Sequence, residues 1–182
     1  MEDFAALRDR LVDHLKAHAL RTDGPFRLAS GATSDWYVDG RQTTYSGEGG
    51  RLVGACVAHL ADPGASVIGG MTMGADPVAI AAALVASRPM RSFSVRQRAK
   101  DHGVGGRIVG PVGPGDRAVV VDDTTTTGAS LVEAISVLRS EGVEVVQAIV
   151  VVDRSGGAAR ARVEALGVPF RAVVEPADLG VA

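Results

Sequence analysis

Asp122 and Asp123 stand side by side at the end of the apolar run Ala118-Val119-Val120-Val121, and Thr124, Thr125, Thr126, Thr127, Gly128, Ala129 and Ser130 follow them. Hydroxyls and backbone N–H groups gathered around a glycine where a helix begins make a cradle for an anion, because the helix dipole adds to the donors. Thr126, Thr127, Ser130 and the N–H groups near Gly128 can all donate to a phosphate, and Gly128 lets the backbone turn and come close. Two adjacent carboxylates would repel that phosphate. They make sense beside it if they accept hydrogen bonds from sugar hydroxyls or face a divalent cation. The combination points to a phosphorylated sugar whose ribose diol meets the acid pair. The plainer alternative is that the aspartates cap a helix and the threonines fill a strand edge.

Positioning such groups requires a buried strand that delivers them and a helix that starts just beyond. Ala118 to Val121 reads as the strand and Ala129 to Leu138 as the helix, with Leu131, Ile135 and Leu138 inward. The same alternation runs through the chain: a helix around Leu52, Val53, Cys56, Val57 and Leu60, a strand at Ser66 to Gly70, a helix at Asp76 to Ala86, and strands at Arg91 to Val95 and Val145 to Val152. Alternating elements of this kind predict an α/β fold, a parallel sheet flanked by helices on both faces. Ahead of it, Phe4, Leu7, Leu11 and Leu15 fall at helical spacing. Phe26 to Leu28 and Trp36 to Val38 flank Ser30-Gly31-Ala32-Thr33-Ser34 and predict a small β-hairpin or two short strands apart from the main sheet. Residues 1–45 would form this N-terminal hood and residues 46–182 the core of a single domain.

The stretch from Asp101 to Gly115 is too rich in glycine and proline for a stable helix, and a loop that long in a compact domain is usually functional or disordered. It carries no Walker-type lysine pattern and no dinucleotide fingerprint. A lid over residues 99–115 is the better reading.

Composition bounds the rest. A chain of 182 residues, 46% hydrophobic and 22% charged, suits one domain, and its net charge of −2 offers no basic field for nucleic acid. The single Cys56 precludes an internal disulfide, and neither a secretory leader nor a membrane span is evident, so a cytoplasmic protein is expected.

The segment from Asp122 to Ser130 resembles the 5-phosphoribosyl-1-pyrophosphate (PRPP) motif of type I phosphoribosyltransferases, and Arg96-Gln97-Arg98-Ala99-Lys100-Asp101-His102-Gly103 resembles the lid of the orotate phosphoribosyltransferases. Gly69 to Pro77 resembles that family's pyrophosphate-binding turn, and the resemblance runs from about Phe26 to Asp178. It implies transfer of phosphoribosyl from PRPP to orotate, giving orotidine 5′-monophosphate and pyrophosphate. Asp122 and Asp123 would hold the ribose hydroxyls, and Thr124 to Ser130 the 5-phosphate. Arg96, Gln97, Lys100 and His102 would meet the diphosphate, with Lys100 and His102 stabilising charge on the departing pyrophosphate. Arg154 and Thr126 would face orotate, and Trp36 and Tyr37 lie where the family places aromatic contacts. Mg²⁺ would be bound mainly through PRPP, and a homodimer with shared sites is implied. Three positions depart from the pattern: Gln97, Met73 and Ala29 stand where many members carry a cation, and Arg98 or Arg41 could compensate. Those departures keep two alternatives open, a transferase for another base and a catalytically weak PRPP-binding sensor.

Overall fold

The computed structural model describes residues 3–27, 31, 33–100 and 106–181, and of Lys100 it describes the backbone alone. The N-terminal part contains α1 (Phe4–His18), β1 (Leu20–Arg21), β2 (Phe26–Arg27), β3 (Thr33–Ser34), β4 (Tyr37–Val38), α2 (Arg41–Thr44) and α3 (Gly47–Leu60). Helix α1 forms where the leucine spacing predicts it and buries Leu11, Val12 and Leu15. Ser46 caps α3, its Oγ accepting from the Gly49 N–H at 2.9 Å.

The hood pairs differently from expectation. Strand β2 pairs with β3, Phe26 opposite Ser34, whereas β4 pairs back onto β1, Leu20 opposite Val38. Strands of two residues carry no usable periodicity, so burial decides the register. Pairing with β1 lets Val38 enter the core cluster, with Leu20 packed against it.

The core contains β5 (Val67–Met71), α4 (Ala75–Val85), β6 (Arg91–Lys100), β7 (Gly106–Val109), β8 (Arg117–Thr125), α5 (Ala129–Ser140), β9 (Glu144–Asp153), α6 (Ala158–Glu164), β10 (Phe170–Val174) and α7 (Pro176–Leu179). The main sheet has the order β10-β9-β8-β5-β6-β7, parallel except for β7. Alternate residues of β8 serve the two faces: Val119 and Val121 join the layer of α1, α3 and α4, while Ala118 and Val120 join that of α5 and α6. The helices therefore cover both faces, as the alternation requires.

One expectation needs correction. Residues 106–109, inside the expected lid, form a strand rather than part of a continuous loop, and it pairs antiparallel at the edge of the sheet. The glycines that exclude a helix also permit an edge strand, and Gly106 itself sits at φ 97°. Arg8 of α1 reaches across to the far end of the chain, its Nε donating to the Val173 carbonyl at 2.8 Å and its guanidinium pairing with Asp178 of α7.

Candidate active site

The carboxyl ends of β8, β5 and β6 lie together, the place where parallel α/β sheets bind ligands. Strand β8 carries the acid pair to that rim. Asp122 and Asp123 are each 8% exposed. The Asp123 N–H donates to Asp122 Oδ1 at 3.0 Å, and the Thr124 N–H to Asp123 Oδ1 at 2.8 Å. Burial pushes both carboxyls above the usual 3.8; at Asp122 the neighbouring Asp123 charge adds to it, while at Asp123 the Arg41 charge pulls the other way. Two glycines press backbone against the pair. A Cβ on Gly74 would lie 2.5 Å from Asp123 Oδ1 and 2.9 Å from Asp122 Oδ1, and one on Gly40, from the hood, 3.1 Å from Asp123 Oδ2.

Beyond the pair the chain makes its turn. Gly128 sits at φ 76°, its N–H donates to Thr125 Oγ1 at 3.0 Å, and the Ala129 N–H reaches Thr127 Oγ1 at 3.3 Å. Helix α5 starts there, and Thr126, Thr127, Ala129 and Ser130 are exposed at its amino end. A side chain at 128 would meet Ala159 Cα of α6 at 2.9 Å, which ties the turn to the next layer.

A cavity of about 530 Å³ opens over this rim. Asp122, Asp123 and Thr124 form its floor, Met71 to Gly74 one side, Gln97 and Arg98 of β6 another, Tyr37 to Arg41 the hood side, and Ser130 and Glu133 the α5 side. The turn after β5 is held by Asp76, whose two carboxylate oxygens accept from Thr72 Oγ1 at 2.7 Å and Ser94 Oγ at 2.6 Å. Arg41 is committed to Asp39, Nε to Oδ1 at 2.9 Å. Glu133 pairs with Arg107 of β7, whose Nε also donates to the Arg96 carbonyl at 2.8 Å.

Arg154, just past β9, is half-buried behind Tyr37. Its guanidinium carbon lies 4.4 Å from the Trp36 ring centre and 5.3 Å from that of Tyr37. Its Nη2 donates to the Trp36 carbonyl at 3.4 Å, and its Nε is buried with no partner. Burial lowers its pKa from the ordinary arginine value. Asp153 does not pair with it and accepts instead from the Ser155 N–H at 2.8 Å. Among the described residues this guanidinium has no carboxylate partner.

Of the residues singled out from sequence, Gln97, Asp122, Asp123, Thr124 and Ser130 line the cavity, and Thr126, Thr127, Gly128 and Ala129 build the adjoining turn. Thr125 is buried and holds Gly128. Arg96 is half-buried and does not line the cavity. Lys100 ends β6; His102 and Ala29 lie outside the described residues. Sequence reasoning missed Glu133 and Arg107. The position of Glu133 three residues after Ser130, on the same helical face, is the one signal that could have found it.

The phosphoribosyl transferase domain family matches residues 67–178. The orotate phosphoribosyltransferase of Streptomyces avermitilis is 41% identical, over 96% of this chain and 98% of that one. The orotate phosphoribosyltransferase of Corynebacterium glutamicum is 40% identical, over 97% and 96%. Among solved structures, Mycobacterium tuberculosis orotate phosphoribosyltransferase in complex with PRPP aligns with a TM-score of 0.82 at 38% identity, covering 96% of this chain and 99% of that one. The same protein in complex with Fe(III) dicitrate gives 0.86 at 41%, covering 96% and 99%. About 40% identical to these relatives over nearly its whole length, and alike in fold, the chain belongs to the orotate phosphoribosyltransferase family.

Proposed function

We propose that this protein transfers the phosphoribosyl group of PRPP to a ring nitrogen of orotate, releasing pyrophosphate and orotidine 5′-monophosphate in pyrimidine biosynthesis. The observation that carries the choice of acceptor is Arg154: a half-buried guanidinium with an unpartnered Nε, packed on Trp36 and Tyr37, is an electrostatic debt that a carboxylate-bearing planar ring settles. Thr126 at the turn is a second contact for the base. The ribose hydroxyls donate to Asp122 and Asp123, and the 5-phosphate takes the N–H groups and hydroxyls of Thr124 to Ser130.

As the anomeric bond breaks, positive charge grows on the sugar and negative charge on pyrophosphate. The acid pair at the ribose faces the first. Lys100 and His102, carried on the segment that follows β6, stabilise the second, with Gln97 contributing an uncharged contact and Arg96 its positive charge at longer range. Residues 101–105 of the lid expected over 99–115 lie outside the described residues; the lid's task in this reading is to exclude water. A hard cation fits this wall, since two adjacent carboxylates border the cavity and repel each other. Asp122 and Asp123 would border a Mg²⁺ bound mainly through PRPP, which would supply Lewis-acid stabilisation of the leaving group.

The active form is a homodimer. Ile80 and Leu84, 51% and 79% exposed, stand one turn apart on α4, and Met73 at the cavity is 61% exposed; these are exposed apolar side chains that a second copy would cover. Leu84→Glu should shift the protein to monomer in sedimentation and lower turnover with it. The described residues include no helix long and apolar enough to cross a membrane, and a single, buried cysteine, Cys56, suits a cytoplasmic location.

Purified protein with PRPP, Mg²⁺ and orotate should consume orotate and release pyrophosphate, whereas uracil and hypoxanthine should not react. Turnover on another base would move the acceptor. PRPP binding without turnover on any of them would establish the sensor, the reading that the uncharged Gln97 and Met73 at the cavity favour.

A further inference from the structure

We infer that Arg98 is the guanidinium that binds the diphosphate of PRPP in this chain, an inference that rests on the PRPP reading of the cavity. Strand β6 takes an irregular path. Its ladder with β7 runs Ser94 to Val109 and Val95 to Ile108, then resumes at Lys100 opposite Gly106. Four residues, Arg96 to Ala99, thus face the single Arg107. In a regular strand neighbours point to opposite faces, so Gln97 and Arg98 could not both reach one cavity. The three extra residues break that alternation, and both line it.

The charge around the cavity gives this arrangement its meaning. Asp39, Asp122, Asp123 and Glu133 border it, and the described cations on its wall are Arg41 and Arg98. Arg41 is engaged by Asp39. Arg98 is exposed and makes no ion pair or hydrogen bond among the described residues. A wall so rich in carboxylates would repel a ligand carrying a diphosphate unless a free cation met it.

Its location selects the diphosphate over the 5-phosphate. The Thr72 N–H donates to the Val95 carbonyl at 2.9 Å, so the Met71 to Gly74 turn lies directly beside the start of the bulge. The Gly128 turn follows β8, on the other side of β5. A ligand with its sugar on Asp122 and Asp123 and its 5-phosphate at Gly128 extends its remaining anionic group towards β5 and β6, where Arg98 waits. A guanidinium fork there makes two parallel bonds to phosphate oxygens.

The test compares pyrophosphate with orotidine 5′-monophosphate, which lacks the diphosphate. Arg98→Ala should weaken pyrophosphate and PRPP binding in calorimetry about ten- to a hundredfold, the value of a charge-assisted hydrogen bond, and leave orotidine 5′-monophosphate binding within about twofold. Arg98→Lys should recover part of the loss. In the Arg98→Ala background, Gln97→Lys should restore pyrophosphate binding, since that position then supplies the charge. Unchanged pyrophosphate binding in Arg98→Ala, or an equal loss for the nucleotide, overturns the assignment. If the unaltered protein neither binds PRPP nor turns over orotate, the proposed function falls and takes this inference with it. If it does both and Arg98→Ala is unaffected, the inference alone falls.

Discussion

The carboxyl ends of β8 and β6 border the same cavity and are built in opposite ways. Strand β8 pairs with β9 without interruption from Val119 to Thr125, its own carboxylates and hydroxyls accept from the backbone that follows, and Gly40, Gly74 and Ala159 close in on it. At the end of β6 the ladder is broken by a bulge, and the side-chain tie there comes from Arg107, which joins the Arg96 carbonyl to Glu133. The first end holds two like charges together at an electrostatic cost that fixed geometry sustains. The second has fewer ties among the described residues. On the proposed function, the β8 end is thus shaped before the ligand arrives and the β6 end takes its final shape around it.

The comparison breaks most directly at Gly74. Gly74→Ala places a Cβ 2.5 Å from Asp123 Oδ1, so the carboxylate must move, and PRPP affinity measured by calorimetry should drop about a hundredfold, ~2.7 kcal/mol. Near-native affinity would mean that the β8 end yields as readily as the β6 end. Asp122→Asn tests the electrostatic cost. Because burial raises this carboxyl's pKa in the folded state, its favourable contribution is complete below the unfolded value near 3.8 and is lost as pH rises through the folded value. The raised pKa therefore leaves the fold less stable at pH 7 than it would be with an unshifted carboxyl. Replacing Asp122 by Asn should raise the thermal midpoint at pH 7 by about 2–4 °C, lose that gain at acid pH, and abolish turnover. A lower midpoint at pH 7 would show that the pair is not under strain. By the same linkage, PRPP binding to the unaltered protein should weaken as pH falls through the pair's raised range, because sugar hydroxyls donate to the ionised form; an affinity flat across that range would contradict it. The smallest effect belongs to Arg107→Ala. Its exposed ion pair contributes under about 1 kcal/mol, so the midpoint should hardly change, but β7 amides should exchange faster and KM for PRPP rise about two- to fivefold as the tie is lost. An unchanged exchange rate would assign the hold on β7 to backbone pairing alone.

The two ends also differed in how plainly the sequence announces them. Ala118 to Val121 is an unbroken β-branched and apolar run ending in charged residues, so strand, carboxylates and helix start could be read in order, and the site chemistry came with them. Strand β7 hid in a glycine-rich stretch where Ile108 and Val109 are the only consecutive large apolar residues, too few to show a period. The hood strands, two residues each, took their pairing from the burial of Val38, a tertiary fact that no local pattern encodes. Beyond Val152 the apolar runs are short and interrupted, as at Phe170-Arg171-Ala172-Val173-Val174. Arg154 shows the same limit: its residue type suggested an anion, but its half-burial on two aromatic rings with an unpartnered Nε exists only in three dimensions.

The bond from Arg8 to Val173 and its pair with Asp178 span 165 and 170 positions of the chain. During synthesis, the helix that begins the hood therefore emerges long before its partners. The turn at Gly128 can form on the ribosome while the cover above it still lacks its anchor. A nascent chain would pass through a stage in which the β8 rim exists beneath an unsecured roof, and the hood would be fastened only once Val173 and Asp178 have been made.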